Sequence, residues 1–75
     1  MKTSIYSKDH IELVSRLKQA RIEAGLNQKE AADLLGKTQS YISKIEAGQR
    51  KIDIMQLKLF AKIYKKDLNY FLGPK

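Results

Sequence analysis

Cysteine is absent from this chain, proline occurs once, at Pro74, and His10 is the sole histidine. Without cysteine, neither a disulfide framework nor a thiolate metal site can staple the fold. His10 alone cannot assemble a histidine metal cluster or partner a cysteine nucleophile, and it is expected at the surface or half-buried. No apolar run approaches the length of a membrane span, and the N-terminus lacks the apolar core of a signal peptide. The expected location is therefore the cytoplasm. Long linkers, internal repeats and low-complexity tracts are missing too, and strand signals are weak. The 75 residues are expected to form one small domain, residues 1–75, stabilised by a modest core.

Positive charge is in excess. Fifteen Lys and Arg against eight Asp and Glu give a net charge of +7. Residues 1–36 are nearly balanced, with six cations and five anions. Residues 37–66 hold Lys37, Lys44, Arg50, Lys51, Lys58, Lys62, Lys65 and Lys66 against only Glu46 and Asp53. A cationic field on one part of a small domain favours a polyanion, DNA or RNA ahead of membrane lipid. On charge alone, a solubilising surface is the competing explanation.

Helical spacing recurs along the whole chain. The first helix is predicted from Lys8 or Asp9 to Ala24, with Leu13, Leu17 and Ala20 or Ala24 on one stripe and Gly25 as its stop. Asn27 and Glu30 make a capping box for a second helix that Gly36 closes, and Leu26 with Ala31 forms a thin hydrophobic staple. Thr38 caps a third helix, Gly48 terminates it, and Ile42 and Ile45 form its buried face with Tyr41 at the margin. Asp53 and Gln56 open a fourth, stapled by Ile52 and Leu57, whose stripe is Ile54, Leu57, Phe60, Ala61 and Tyr64. Leu59 and Ile63 lie off that stripe, either as scattered surface apolars or as a self-association patch. Asp67, Leu68 and Phe71 suggest a short fifth helix that Gly73-Pro74 ends. Helices this short are held by packing, and short connections between them predict a compact all-α bundle of five helices.

Two short capped helices joined by a glycine turn are a way of presenting the second helix to the major groove of DNA, although the unit is not unique to that role. With Ile42 and Ile45 inward, Gln39, Ser40, Ser43 and Lys44 face outward. Gln39 can pair with adenine N6 and N7, and Lys44 can donate to guanine or to a phosphate. Ser40 and Ser43 are short enough to allow close approach. An ordinary solvated helix face is the alternative. Gln28 and Thr38, at the starts of the two helices, and Gln49, Arg50 and Lys51, in the loop that follows, are candidate phosphate contacts. Lys58, Lys62, Lys65 and Lys66 either extend this field or are solvated charges.

Arg21 through Gly25, Leu26-Asn27-Gln28, Ala32, Gly36, Ile42 through Gly48 and the fourth helix's stripe resemble the Cro/C1-type (XRE-like) helix-turn-helix family of phage repressors and bacterial transcriptional regulators. The similarity spans roughly residues 9–72. It implies a five-helix, lambda-repressor-like domain that binds operator DNA, often as a homodimer on inverted repeats, with no catalytic centre, metal or cofactor. By the same resemblance Gln28 looks like a phosphate-contacting glutamine, Gln39, Ser40, Ser43 and Lys44 look like base-facing positions, and Arg50 and Lys51 look like basic loop contacts. Glu46 is implied to hold the frame by pairing with Arg16 or Arg21. Three residues depart from the pattern. Ala31 stands where leucine is common and predicts looser packing of the second helix. Lys37 replaces an apolar residue, its stem able to cover apolar surface, and Tyr64 replaces leucine, its ring buriable if the hydroxyl finds a partner.

The leading expectation is a double-stranded DNA-binding repressor. The runner-up is the antitoxin of a toxin–antitoxin pair, which would bind a protein toxin through an apolar surface away from DNA and also repress its own operon. Leu59, Ile63, Tyr70 and Ile5-Tyr6 are candidates for that surface, unless Ile5 and Tyr6 fold back on the first helix. Eight carboxylates and one histidine show no nucleophile–base arrangement and no Gly-rich phosphate loop, so catalysis is not expected. RNA recognition is less favoured because the third helix offers no aromatic stacking platform.

Overall fold

Three of the five helices start where a side chain caps their first amides, and four end within two residues of one that turns left-handed. The computed structural model describes residues 8–72. In chain order they form α1 (Lys8–Glu23), α2 (Gln28–Leu35), α3 (Gln39–Glu46), α4 (Ile54–Tyr64) and α5 (Leu68–Leu72). Asn27 Oδ1 accepts from Glu30 N at 2.7 Å, and Glu30 Oε1 accepts from Asn27 N at 2.9 Å. The same reciprocal box, Asp53 with Gln56, opens α4. Thr38 Oγ1 caps α3 by accepting from Tyr41 N at 3.1 Å.

The helix ends share one geometry. After α2, Gly36 takes φ +70° and Lys37 N donates back to Ala32 O at 2.9 Å. After α4 the corresponding residue is Lys65, at φ +59°, and Lys66 N donates to Ala61 O at 2.9 Å. A Cβ at positive φ crowds the backbone, so this turn is tighter in energy than its glycine counterpart.

Leu17 and Ala20 of α1, Ala31 and Ala32 of α2, Ile42 and Ile45 of α3, Leu57, Phe60 and Tyr64 of α4 and Phe71 of α5 form one core. α2 makes its most extensive contacts with α3. Ala31 is fully buried in that core. Arg16 joins α1 to α5 by donating to Tyr70 O at 3.2 Å, and it also pairs with Glu12 at 3.0 Å.

Several expectations need correction. α1 ends at Glu23, one residue early, and Ala24 is exposed. Its inward face also includes His10, Val14 and Arg21. His10 is buried because it stands four residues before Val14 and seven before Leu17, on the same stripe. Ile54 is 53% exposed rather than in the core. It is the first residue of α4, and Ile52 from the preceding loop packs on the core instead. Tyr64 is buried, 5.6 Å from the Phe60 ring, but its hydroxyl has no hydrogen-bond partner among the described residues. That burial, with the nearby Glu46 carboxylate, pushes its ionisation well above the ordinary tyrosine range against the opposing pull of Arg21. The expected stop at Gly73-Pro74 and the placement of Ile5 and Tyr6 lie outside the described residues.

Lys65→Gly should relieve the left-handed strain and stabilise the fold by about 0.5–1 kcal/mol, the gain being trimmed by glycine's greater freedom in the unfolded chain. Thermal unfolding followed by circular dichroism should then show a rise of roughly 2–8 °C. Lys65→Ala, which keeps the Cβ, should leave the midpoint where it was.

Candidate nucleic-acid interface

α3 is amphipathic in the simplest way. Ile42 and Ile45 are buried, whereas Gln39, Ser40, Ser43 and Lys44 are all exposed. Positions 39, 40, 43 and 44 fall on one side of a 3.6-residue helix. Gln49, Arg50 and Lys51 follow in the α3–α4 loop and are exposed as well. Thr38, also exposed, uses its oxygen as the cap acceptor, so its hydroxyl hydrogen remains available to a phosphate.

The orientation of α3 is set from below. Arg21 Nε donates to Glu46 Oε2 at 2.7 Å and Arg21 Nη2 donates to Glu46 Oε1 at 3.1 Å. These two side chains are 11% and 6% exposed. Arg21 Nη1 donates to Leu26 O at 2.8 Å, and Gln28 Nε2 donates to Glu46 Oε1 at 3.1 Å. Glu46 and Arg21 together thus tie the end of α1, the α1–α2 turn, the start of α2 and the end of α3. The hydrogen bond with Glu46 raises the Arg21 pKa against the cost of its burial. Of the two arginines suggested as partners for Glu46, Arg21 is the one that pairs. Gln28 is half-buried and oriented by Glu46, which leaves its second amide hydrogen for a phosphate.

A second arrangement surrounds Tyr41, which is half-buried at the α3 margin. The Arg50 guanidinium lies 4.9 Å from its ring centroid, and Lys37 Nζ lies 5.2 Å from it. Cations at this distance are held by the ring's negative face. Thr38, Ser40, Lys44 and Arg50 line one open hollow with Lys37 and Tyr41, about 470 Å³ in volume. Gln28, Gln39, Ser43, Gln49 and Lys51 lie outside that hollow. None of Lys37, Lys44, Arg50 and Lys51 forms an ion pair among the described residues, so their charge is uncompensated locally. Burial raises the Tyr41 pKa, with Asp53 adding to the rise and Arg50 opposing it. The role of Tyr41 as a platform for Arg50 was missed in the sequence, where only the four-residue spacing of Lys37 and Tyr41 hinted at a contact.

Among the described residues, no three His, Cys, Asp or Glu side chains gather into a metal-binding group. No described helix is long and apolar enough to cross a membrane.

A helix-turn-helix family model matches residues 17–71. Among solved structures, the chain is similar to the restriction-modification controller protein C.AhdI from Aeromonas hydrophila, with a TM-score of 0.75 and 26% identity. The similarity covers 81% of this chain and 88% of that one. No curated protein sequence matches.

Removing Glu46 strands a buried guanidinium. Glu46→Ala should therefore lower stability by about 3 kcal/mol, near the lower end for a broken buried pair. Arg21→Met in the Glu46→Ala background should recover much of that loss, because no uncompensated charge then remains. Urea denaturation of the two single variants and the double variant measures the coupling. Additive losses would mean that the pair does not act as a unit.

Proposed function

The chain belongs to the Cro/C1-type helix-turn-helix family of sequence-specific DNA-binding regulators, and on that premise we propose that it is a repressor acting as a homodimer on an inverted-repeat operator. The observation that carries this reading is the polar face of α3, with Gln39, Ser40, Ser43 and Lys44 opposite two buried isoleucines and unpaired cations at both ends of the helix. Residues 1–75 act as one domain with a family-like core at 9–72. Gln39, Ser40, Ser43 and Lys44 read base edges in the major groove. Gln28, Thr38, Gln49, Arg50 and Lys51 hold phosphates, which sets register and supplies salt-dependent affinity.

One short helix reads few base pairs. A symmetric dimer doubles the number, with half-sites about one helical turn apart. The likeness to a controller protein supports a regulatory role. A cytoplasmic location follows from that role. The antitoxin alternative has some support in the 50% exposure of Leu59, but Tyr70 is half-buried, with Lys66 Nζ 4.6 Å from its ring centroid and Phe71 edge-on at 5.2 Å.

Selection from a randomised duplex library should enrich an inverted repeat, and sedimentation of the complex should give two chains per duplex. Gln39→Ala or Lys44→Ala should relax preference at one position of each half-site by about 1–3 kcal/mol. Arg50→Ala should weaken all sequences alike and reduce the salt slope by about one. Tyr41→Leu, which removes the platform beneath Arg50, should act in the same direction but more weakly. Binding that vanishes with salt and recovers no motif would end the claim of a specific repressor.

A further inference from the structure

Between the C-terminal halves of α2 and α4 lies a trough that shares no residue with the proposed DNA face. Leu34, Leu35, Leu59 and Ile63 form its floor, and Lys62 and Lys65 stand with them along its edge. Leu34 is 60% exposed and Leu59 50%, whereas Leu35 and Ile63 are half-buried against the core. The trough has a volume of about 460 Å³. A second hollow of about 550 Å³ shares Leu34, Ile63 and Lys65 with it. Lys66, at the far end, is already engaged by Glu23 at 2.7 Å. Lys62 and Lys65 form no ion pair among the described residues.

We propose that this trough binds an acidic amphipathic helix contributed by a partner protein. Aliphatic side chains at helical spacing would fill the floor, and flanking carboxylates would meet Lys62 and Lys65. The charge pattern selects this occupant. Nucleic acid would match the lysines but not an aliphatic floor. A second copy would match the floor, but it would bring together two patches that each carry Lys62 and Lys65 and no carboxylate, in a chain of net charge +7. Because the trough residues and the DNA-facing residues are separate sets, the inference does not depend on the repressor reading.

A displayed library of 16-residue helical peptides, selected on the full chain and counter-selected on Leu34→Asp, tests this directly. Enriched peptides should carry spaced leucine or isoleucine with flanking Asp or Glu. Their affinity, measured by fluorescence anisotropy, should fall at least about tenfold on both Leu34→Asp and the Lys62→Glu/Lys65→Glu double variant. Leu34→Asp should keep its circular dichroism spectrum and its DNA affinity, since the residue is already exposed and outside the DNA face. Failure to enrich any peptide, or enrichment of neutral or basic peptides indifferent to the lysine reversal, would overturn the proposal. So would a wild-type dimer that Leu34→Asp converts to monomer in sedimentation velocity, which would give the trough to a second copy. Loss of operator binding in the preceding selection would leave this result untouched.

Discussion

The angle at which α3 leaves the body of the protein depends on one buried carboxylate. Glu46 sits at the end of α3 and gathers Arg21 from α1 and Gln28 from α2, while Arg21 reaches on to the carbonyl of Leu26. Desolvating a guanidinium and a carboxylate is costly, and it is tolerated here because the pair is two-pronged and the remaining donors find acceptors. In return, three helices and a turn share one rigid junction. An apolar contact of equal area would hold them together but would not specify their rotation as narrowly, since dispersion is indifferent to direction.

Around that junction the molecule has two unlike surfaces. On one, α3 and the loop after it carry polar side chains and cations that no carboxylate neutralises, and Tyr41 gives Arg50 a defined resting place. On the other, α2 and α4 leave aliphatic side chains uncovered beside lysines. Small size makes this separation consequential. With few residues to spare, most of the apolar side chains are consumed by a single core, and those left outside it stand out.

The helices were legible because their signals are local. Asn27 with Glu30, and Asp53 with Gln56, announce helix starts through bonds made within four residues. Gly36 announces a stop through its own backbone freedom. Lys65 takes the same conformation with no such mark, since the turn is imposed by where α4 and α5 pack and not by the residue's preference. The misplacement of Ile54 and His10 has a related origin. Periodicity identifies a stripe, but how far along the helix a neighbour covers that stripe depends on the other helices.

The candidate site divides along the same line. That Gln39, Ser40, Ser43 and Lys44 would be outward followed from Ile42 and Ile45 being apolar at a spacing of three, a matter of helix geometry alone. Choosing Arg21 over Arg16 for Glu46 required knowing the distance between α1 and α3. Seeing Arg50 over Tyr41 required knowing how the loop folds back, and finding the trough required bringing Leu34 beside Leu59 across two helices. The sequence by itself determined the five helices, the caps that open α2, α3 and α4, the inward face of α3 and the concentration of positive charge, because each is set by bonds, spacing or composition within a few residues. Only the tertiary structure decided which charges pair, which apolar residues stay uncovered and where the strained turn falls, because these depend on distances between segments that are far apart in the chain.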